Sequence, residues 1–200
     1  MKLILGSSSK YRKELLEKAG YVFDVMSPNV DEKNIKTDDL YERPLVLAHR
    51  KADALIGKVE EASIIITSDV IVVCEGKLYE KPESEEGARQ LLKRYSGGLV
   101  PEAVCAVVVV NTQTGERHDG VDKSKVFFKP FSDDFIEFLI REGDMLSRAG
   151  GFSIQLMKQY VERIEGNHNG IIGLPIQLLE SLLKKAGYKY TEAYTEAMPP

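Results

Sequence analysis

The chain has 200 residues, 43% of them hydrophobic, enough for one sizeable core or for two small lobes sharing one, and a single domain is expected. Its 27 Lys and Arg against 31 Asp and Glu leave a net charge of −4, which argues against duplex nucleic acid and anionic membranes as partners and makes any basic site local. No uncharged apolar run approaches the ~20 residues of a membrane span, and the few apolar residues after Lys2 are too short for a signal peptide, so a cytoplasmic protein is expected.

Residues 3–20, LILGSSSKYRKELLEKAG, read as a strand, a Ser-rich turn and a helix. YVFDVMSP follows as a β-rich run carrying Val22, Val25 and Met26 and ending at Pro28, and NVDEKNIKTDD is polar and loop-like. RPLVLAHRKADALIGK, from Arg43, spaces Leu45, Leu47, Ala48, Ala52 and Leu55 as an amphipathic helix with Pro44 in its first turn. SIIITSDVIVV, 63–73, lacks alternation, as a strand covered on both faces does, and CEGKLYEKP returns from it as a hairpin. Ser84 opens a helix with acids in its first turn, cations in its last and Gly97 beyond its end. AVCAVVVVNTQTGERHDGVDKSKVFFKPF reads as two long strands joined across NTQTGE. Helices near 132–142 and 175–187 bracket SRAGGFSIQ and EGNHNGIIGLP, and the tail from 191 to 200 is expected to fray. Strands and helices alternate first and long hairpin strands follow, which favours an α/β mixed sheet.

Several residues break local rules. Lys10, Arg12 and Lys13 crowd a helix start, where a cation costs roughly 0.3–1 kcal/mol against the helix dipole. Either an anion such as phosphate binds there, held by backbone N–H groups, the Ser7–Ser9 hydroxyls and the cations, or the cations face solvent and the serines only cap. Asp69 stands in the most apolar run of the chain, either ending the strand at a turn or serving a ligand cleft at a strand's carboxyl edge. Asp31 and Glu32 form an acidic pair, solvated or ligating a hard cation. Lys51 and Lys81 taken singly are ordinary surface lysines. Cys74 and Cys105 read as buried thiols, and His49, His118 and His168 show neither metal-ligand spacing nor a nucleophile pattern.

In order, LILGSSSKYRKELLEKAG, NVDEK, LAHRKA, ITSDVIVV, EKPESEEGARQLL, YSGG, RAGGFSIQ and IEGNHNGIIGLP resemble the Maf family of nucleotide pyrophosphatases over residues 2–187. The resemblance implies an elongated mixed sheet flanked by helices, Maf/ITPase-like, with two lobes around a central cleft, in one domain spanning 1–190 and often a homodimer. It implies hydrolysis of nucleoside triphosphates to monophosphate and pyrophosphate with a divalent cation, Mg²⁺ or Mn²⁺. Ser7 and Arg12 would hold phosphate, and Lys51 and Lys81 would neutralise the triphosphate as charge grows on the leaving pyrophosphate. Glu32 and Asp69 would hold the cation, with Asp31 in support and Asp69 as base for the attacking water.

Base choice is where the sequence departs from the family's pattern. Lys10 and Tyr11 replace the Pro and first Arg of Ser-Pro-Arg-Arg. An aromatic at the Tyr11 position resembles members that prefer 7-methylguanosine triphosphate, since a ring stacks on a cationic base. Gln155 resembles members acting on thymidine and uridine triphosphates, where an amide satisfies a pyrimidine edge. Val70 resembles neither group. Hydrogen-bond readout discriminates more strongly than stacking, so the expectation leans to dTTP and UTP. A non-catalytic nucleotide-binding regulator of cell division is the reading from another class, and intact charges at every matched position weigh against it.

Overall fold

The computed structural model describes residues 1–32, 35, 37–142 and 145–189; the tail expected to fray lies outside the described residues. Its strands are β1 (Lys2–Gly6), β2 (Asp24–Val25), β3 (Ser63–Cys74), β4 (Lys77–Tyr79), β5 (Glu102–Asn111), β6 (Arg117–Phe128) and β7 (Val161–Glu165). Its helices are α1 (Lys10–Lys18), α2 (Arg43–Ile56), α3 (Glu85–Ser96), α4 (Asp133–Arg141), α5 (His168–Ile172) and α6 (Ile176–Lys185). All strands join one mixed sheet in the order β2-β1-β3-β5-β6-β7, with β4 also on β3. β1 runs parallel to β2 and β3, and the other pairs are antiparallel.

Local chemistry explains most boundaries. Ser9 and Ser84 each accept a backbone N–H of the first turn, from Arg12 at 3.5 Å and from Gly87 at 3.1 Å, and so cap α1 and α3. Glu75 and Gly76, with φ of 51° and 71°, make the two-residue turn that folds β4 back on β3. The strand expected over YVFDVMSP shrinks to two residues. It lies at the sheet's edge with one neighbour, Val22 and Val25 are exposed, and the buried anchor of the segment is Tyr21.

β3 is covered on both faces, as its unbroken apolar run implies. Ile64 and Ile66 pack under α1 and α6 with Leu15, Leu16, Leu179 and Leu182. Ile65 packs on the other face under α2, with Ala48, Ala52 and Leu55. The second half of the strand enters a separate core, where Val72 meets Leu92 and Tyr95 of α3 and Ile136 and Leu139 of α4. Cys74 and Cys105 are buried free thiols, and burial pushes them up to about 11 and about 12, which makes them packing residues.

The two edges of β3 are paired unequally. β5 pairs with one edge of β3 from Ile64 to Val73. On the other edge β1 pairs only as far as Thr67, and β4 takes up pairing at Val72. Residues 68–71 therefore face a notch between the end of β1 and the start of β4, with no strand partner there among the described residues. At its last residue, Gly6, a Cβ would stand 2.6 Å from both Leu55 Cδ1 and Thr67 Cγ2, so only glycine lets β1 end this close to α2 and β3.

Candidate active site

Successive side chains of a strand point to opposite faces, so Asp69 lies on the α2 side of the sheet and Ser68 and Val70 on the α1 side. In a fully paired sheet, groups on the two faces stay apart. At the notch they converge. Asp69 does not end β3, as one sequence reading had it; it lies in the middle of a 12-residue strand, two residues past the last pairing with β1. The carboxyl end that matters is that of the parallel neighbour, β1, where open α/β sheets place their ligands.

On the α2 side, Lys51 belongs to the helix's buried stripe of Leu47, Ala48, Ala52 and Leu55, and it is 5% exposed, not a surface lysine. Its Nζ donates to Asp69 Oδ1 at 2.7 Å and pairs with Glu32 Oε1 at 2.8 Å. Asp69 is 7% exposed, and burial raises its pKa above the ordinary 3.8, with Lys51 and then Arg12 opposing that rise. Glu32 approaches from the loop before α2 with half its side chain in solvent. Asp31 is not among the residues lining the cleft.

On the other side, the three cations of the α1 start part company. Lys13 reaches outward to Glu17 at 3.7 Å and behaves as an exposed surface charge. Lys10 and Arg12 line the cleft. Arg12 is held at two points: Nε donates to the Gly173 carbonyl at 3.0 Å and Nη1 to Ser7 Oγ at 3.2 Å. Ser68 Oγ donates to the same carbonyl at 2.9 Å. Gly173, at φ 114°, ends α5 in the left-handed conformation that presents this carbonyl. Ser7 is buried, and its oxygen also accepts from Ser9 N at 3.2 Å.

The far wall comes from RAGGFSIQ. Gly150 and Gly151 have φ of 68° and 59°, and a Cβ on either would stand 2.6–2.7 Å from Val72 or Pro82. Gly150 is further pinned by its N–H to the Glu80 carbonyl at 3.1 Å and by Tyr95 Oη donating to its carbonyl at 2.7 Å. This contact sets the wall against β3 and the Lys81–Pro82 segment. We expect Gly150→Ala to cost at least 1–3 kcal/mol from the left-handed backbone alone, more with the Val72 contact, read as a drop in the urea midpoint.

Ser7, Tyr11, Arg12, Glu32, Lys51, Asp69, Val70, Lys81 and Gln155, all singled out in the sequence, line one cleft of about 530 Å³. Lys81 is exposed at its rim with no ion-pair partner among the described residues. No histidine lines it; His49 instead lies 2.9 Å from Asp119 on the surface. Sequence reasoning missed Ser68, the Gly173 carbonyl and Arg148, whose guanidinium lies 4.2 Å from the centre of the Tyr11 ring. The spacing of Leu47, Lys51 and Leu55 was a usable signal for the burial of Lys51; nothing local marked Arg148.

No group of three or more His, Cys, Asp or Glu that could hold a metal occurs among the described residues. Asp69 and Glu32 nonetheless converge on one point, now taken by Lys51 Nζ, and no described residue bonds the second oxygen of Asp69. Two hard carboxylates fit Mg²⁺ or Mn²⁺, which take one or two protein oxygens and complete their shell from phosphate and water.

A family model described as Maf-like protein matches residues 2–186. A 7-methyl-GTP pyrophosphatase of Dictyostelium discoideum is 40% identical over 190 residues, covering 92% of this chain and 96% of that protein. A dTTP/UTP pyrophosphatase of Vibrio vulnificus is 36% identical over 183 residues, covering 91% and 97%. Another dTTP/UTP pyrophosphatase, from Treponema denticola, is 32% identical over 199 residues, covering 94% and 98%.

Proposed function

The chain belongs to the Maf-like family, and from that premise we propose that it hydrolyses nucleoside triphosphates to the monophosphate and pyrophosphate. The relatives' names agree on pyrophosphatase chemistry and differ on the base. The observation that carries the reading is convergence: Arg12, Lys51 and Lys81 line one cleft with Asp69 and Glu32 although they come from five separate segments. Such a mixture of cations and carboxylates suits a polyphosphate whose charge shifts toward the leaving group during cleavage.

Arg12, fixed by Gly173 and Ser7, grips phosphate oxygens at the α1 entrance, where Ser7 and the first backbone N–H groups add donors. Lys81, exposed at the rim without an ion-pair partner among the described residues, takes the outer phosphates. Asp69 uses one oxygen to anchor Lys51 and keeps the other to accept a proton from water. That water attacks the α-phosphorus, the bond from it to the bridging oxygen breaks, and pyrophosphate departs with its charge facing Lys51 and Lys81. A divalent cation held by Asp69 and Glu32 would take the place of Lys51 Nζ between them, leaving that ammonium to face the phosphates, and would neutralise phosphate charge and orient the triphosphate.

The base reading leans to dTTP and UTP, through the Gln155 amide on the cleft wall. The aromatic Tyr11 on the cleft wall and the name of the Dictyostelium relative favour 7-methyl-GTP as the second reading. The test is pyrophosphate release from a panel of triphosphates with and without Mg²⁺ or Mn²⁺. The expected outcome is cation-dependent release from at least one of them. Binding of triphosphates with no release from any would leave a nucleotide-binding regulator instead.

A further inference from the structure

Resting on that reading, we propose that Arg148 is a specificity residue, which with Gln155 makes the cleft select neutral bases bearing two carbonyl acceptors, uracil or thymine, over a cationic 7-methylated guanine. Three observations carry it. The Arg148 guanidinium lies 4.2 Å from the centre of the Tyr11 ring and the Lys10 ammonium 4.8 Å, so the ring that would stack on a cationic base is already engaged by two cations. A positively charged base entering there meets like charge in place of an open aromatic face. Second, Arg148 Nη1 donates to Gln155 Oε1 at 3.4 Å and Ser153 Oγ to the same oxygen at 3.3 Å, while no described residue bonds the Gln155 amide nitrogen. The acceptor half of the amide is thus occupied and its donor half is what the wall offers. Third, a guanidinium has donors only.

The wall formed by Arg148, Gln155 and Lys10 is therefore rich in donors. Uracil and thymine present acceptor, donor, acceptor along their pairing edge, whereas guanine presents one acceptor and two donors. Such a wall meets both carbonyl acceptors of uracil or thymine and leaves only their N3–H without an acceptor, whereas guanine brings it one acceptor and two donor groups. The glycine pair that follows Arg148 is tight against Val72 and Pro82, which holds the arginine on this wall.

The experiment compares kcat/KM for UTP and for 7-methyl-GTP in the wild-type protein, Arg148→Ala, Arg148→Glu and Arg148→Lys. The UTP preference is expected to fall about tenfold in Arg148→Ala and further in Arg148→Glu, where the sign of the charge is reversed, with Arg148→Lys closest to wild type. Wild-type preference for 7-methyl-GTP, or a ratio that the Ala and Glu variants leave unchanged while both nucleotides are still cleaved, overturns the proposal and leaves the pyrophosphatase reading standing. If no triphosphate is cleaved by the wild type, that reading fails by itself. Dissociation constants of UTP and 7-methyl-GTP, measured by calorimetry on the same four proteins, then decide the role of Arg148: the same shift in their ratio supports it and an unchanged ratio overturns it.

Discussion

Asp69→Asn is expected to fold normally and to lose roughly 10²- to 10⁴-fold in kcat for triphosphate cleavage, the range for removing a positioned base. Size and shape are retained, and the amide oxygen still accepts from Lys51 Nζ, now 2.7 Å from Asp69 Oδ1. Lys51 also keeps its pairing with Glu32 at 2.8 Å, so no buried ammonium is left alone. Stability should therefore change by about 1 kcal/mol, because an ion pair becomes an ammonium-to-amide hydrogen bond while the burial of a carboxylate is avoided. What disappears is the oxygen that takes a proton from water. Circular dichroism and a urea titration alongside the pyrophosphate assay check both halves; near-normal turnover by this variant refutes the assignment of Asp69 as base.

Lys51→Met is expected to damage both stability and rate. Methionine fits the buried stripe of α2 but leaves Asp69, 7% exposed, without its closest counter-charge. Breaking a buried pair from one side costs about 3 kcal/mol at neutral pH, and the rate should fall about 10²- to 10³-fold with the loss of one charge-stabilising donor. The pH dependence has a definite sign. Burial already raises the Asp69 pKa above 3.8, and Lys51 is the largest influence holding it down, so removing Lys51 raises it further. A carboxyl whose folded-state pKa is raised favours folding below its unfolded value and loses that contribution as pH rises through the folded value. The instability of the metal-free variant relative to wild type should accordingly shrink as pH is lowered from neutral toward 3.8. A urea series at several pH values with chelator present measures it, and a pH-independent difference would mean that Asp69 is not the group left uncompensated. Because Lys51 and Asp69 act through one contact, the double variant should lose less than the product of the two single losses.

Much of this fold was legible before any coordinates. The unbroken β-branched run of β3 announced a strand buried on both faces, and the capping serine, first-turn acids and terminal glycine of α3 placed that helix within a residue. The misplaced cations of α1 pointed to an anion, and Arg12 does line the cleft while Lys13 does not. The edge strand β2 was the weakest reading, since a two-residue strand with one neighbour leaves almost no pattern in the residues that form it. Lys51 was undervalued for a different reason: helical spacing put it on the apolar face, but a lysine there reads as a surface residue until its carboxylate partners are known.

Local sequence by itself determined which segments are strands or helices and which of their residues sit in the wrong company, because propensity, capping and periodicity act over a few neighbours. Tertiary structure alone decided what those residues meet. Arg12 and Gly173 are 161 residues apart, and Lys51 and Asp69 lie on different elements 18 residues apart. Their meeting depends on β1 ending where β3 continues and β4 has not yet begun, a matter of strand order and relative length. The same holds for Arg148 lying over Tyr11: its segment is set by Gly150 close against Val72 of β3 and Gly151 against Pro82, and steric contact between distant segments leaves no trace in either one's own pattern.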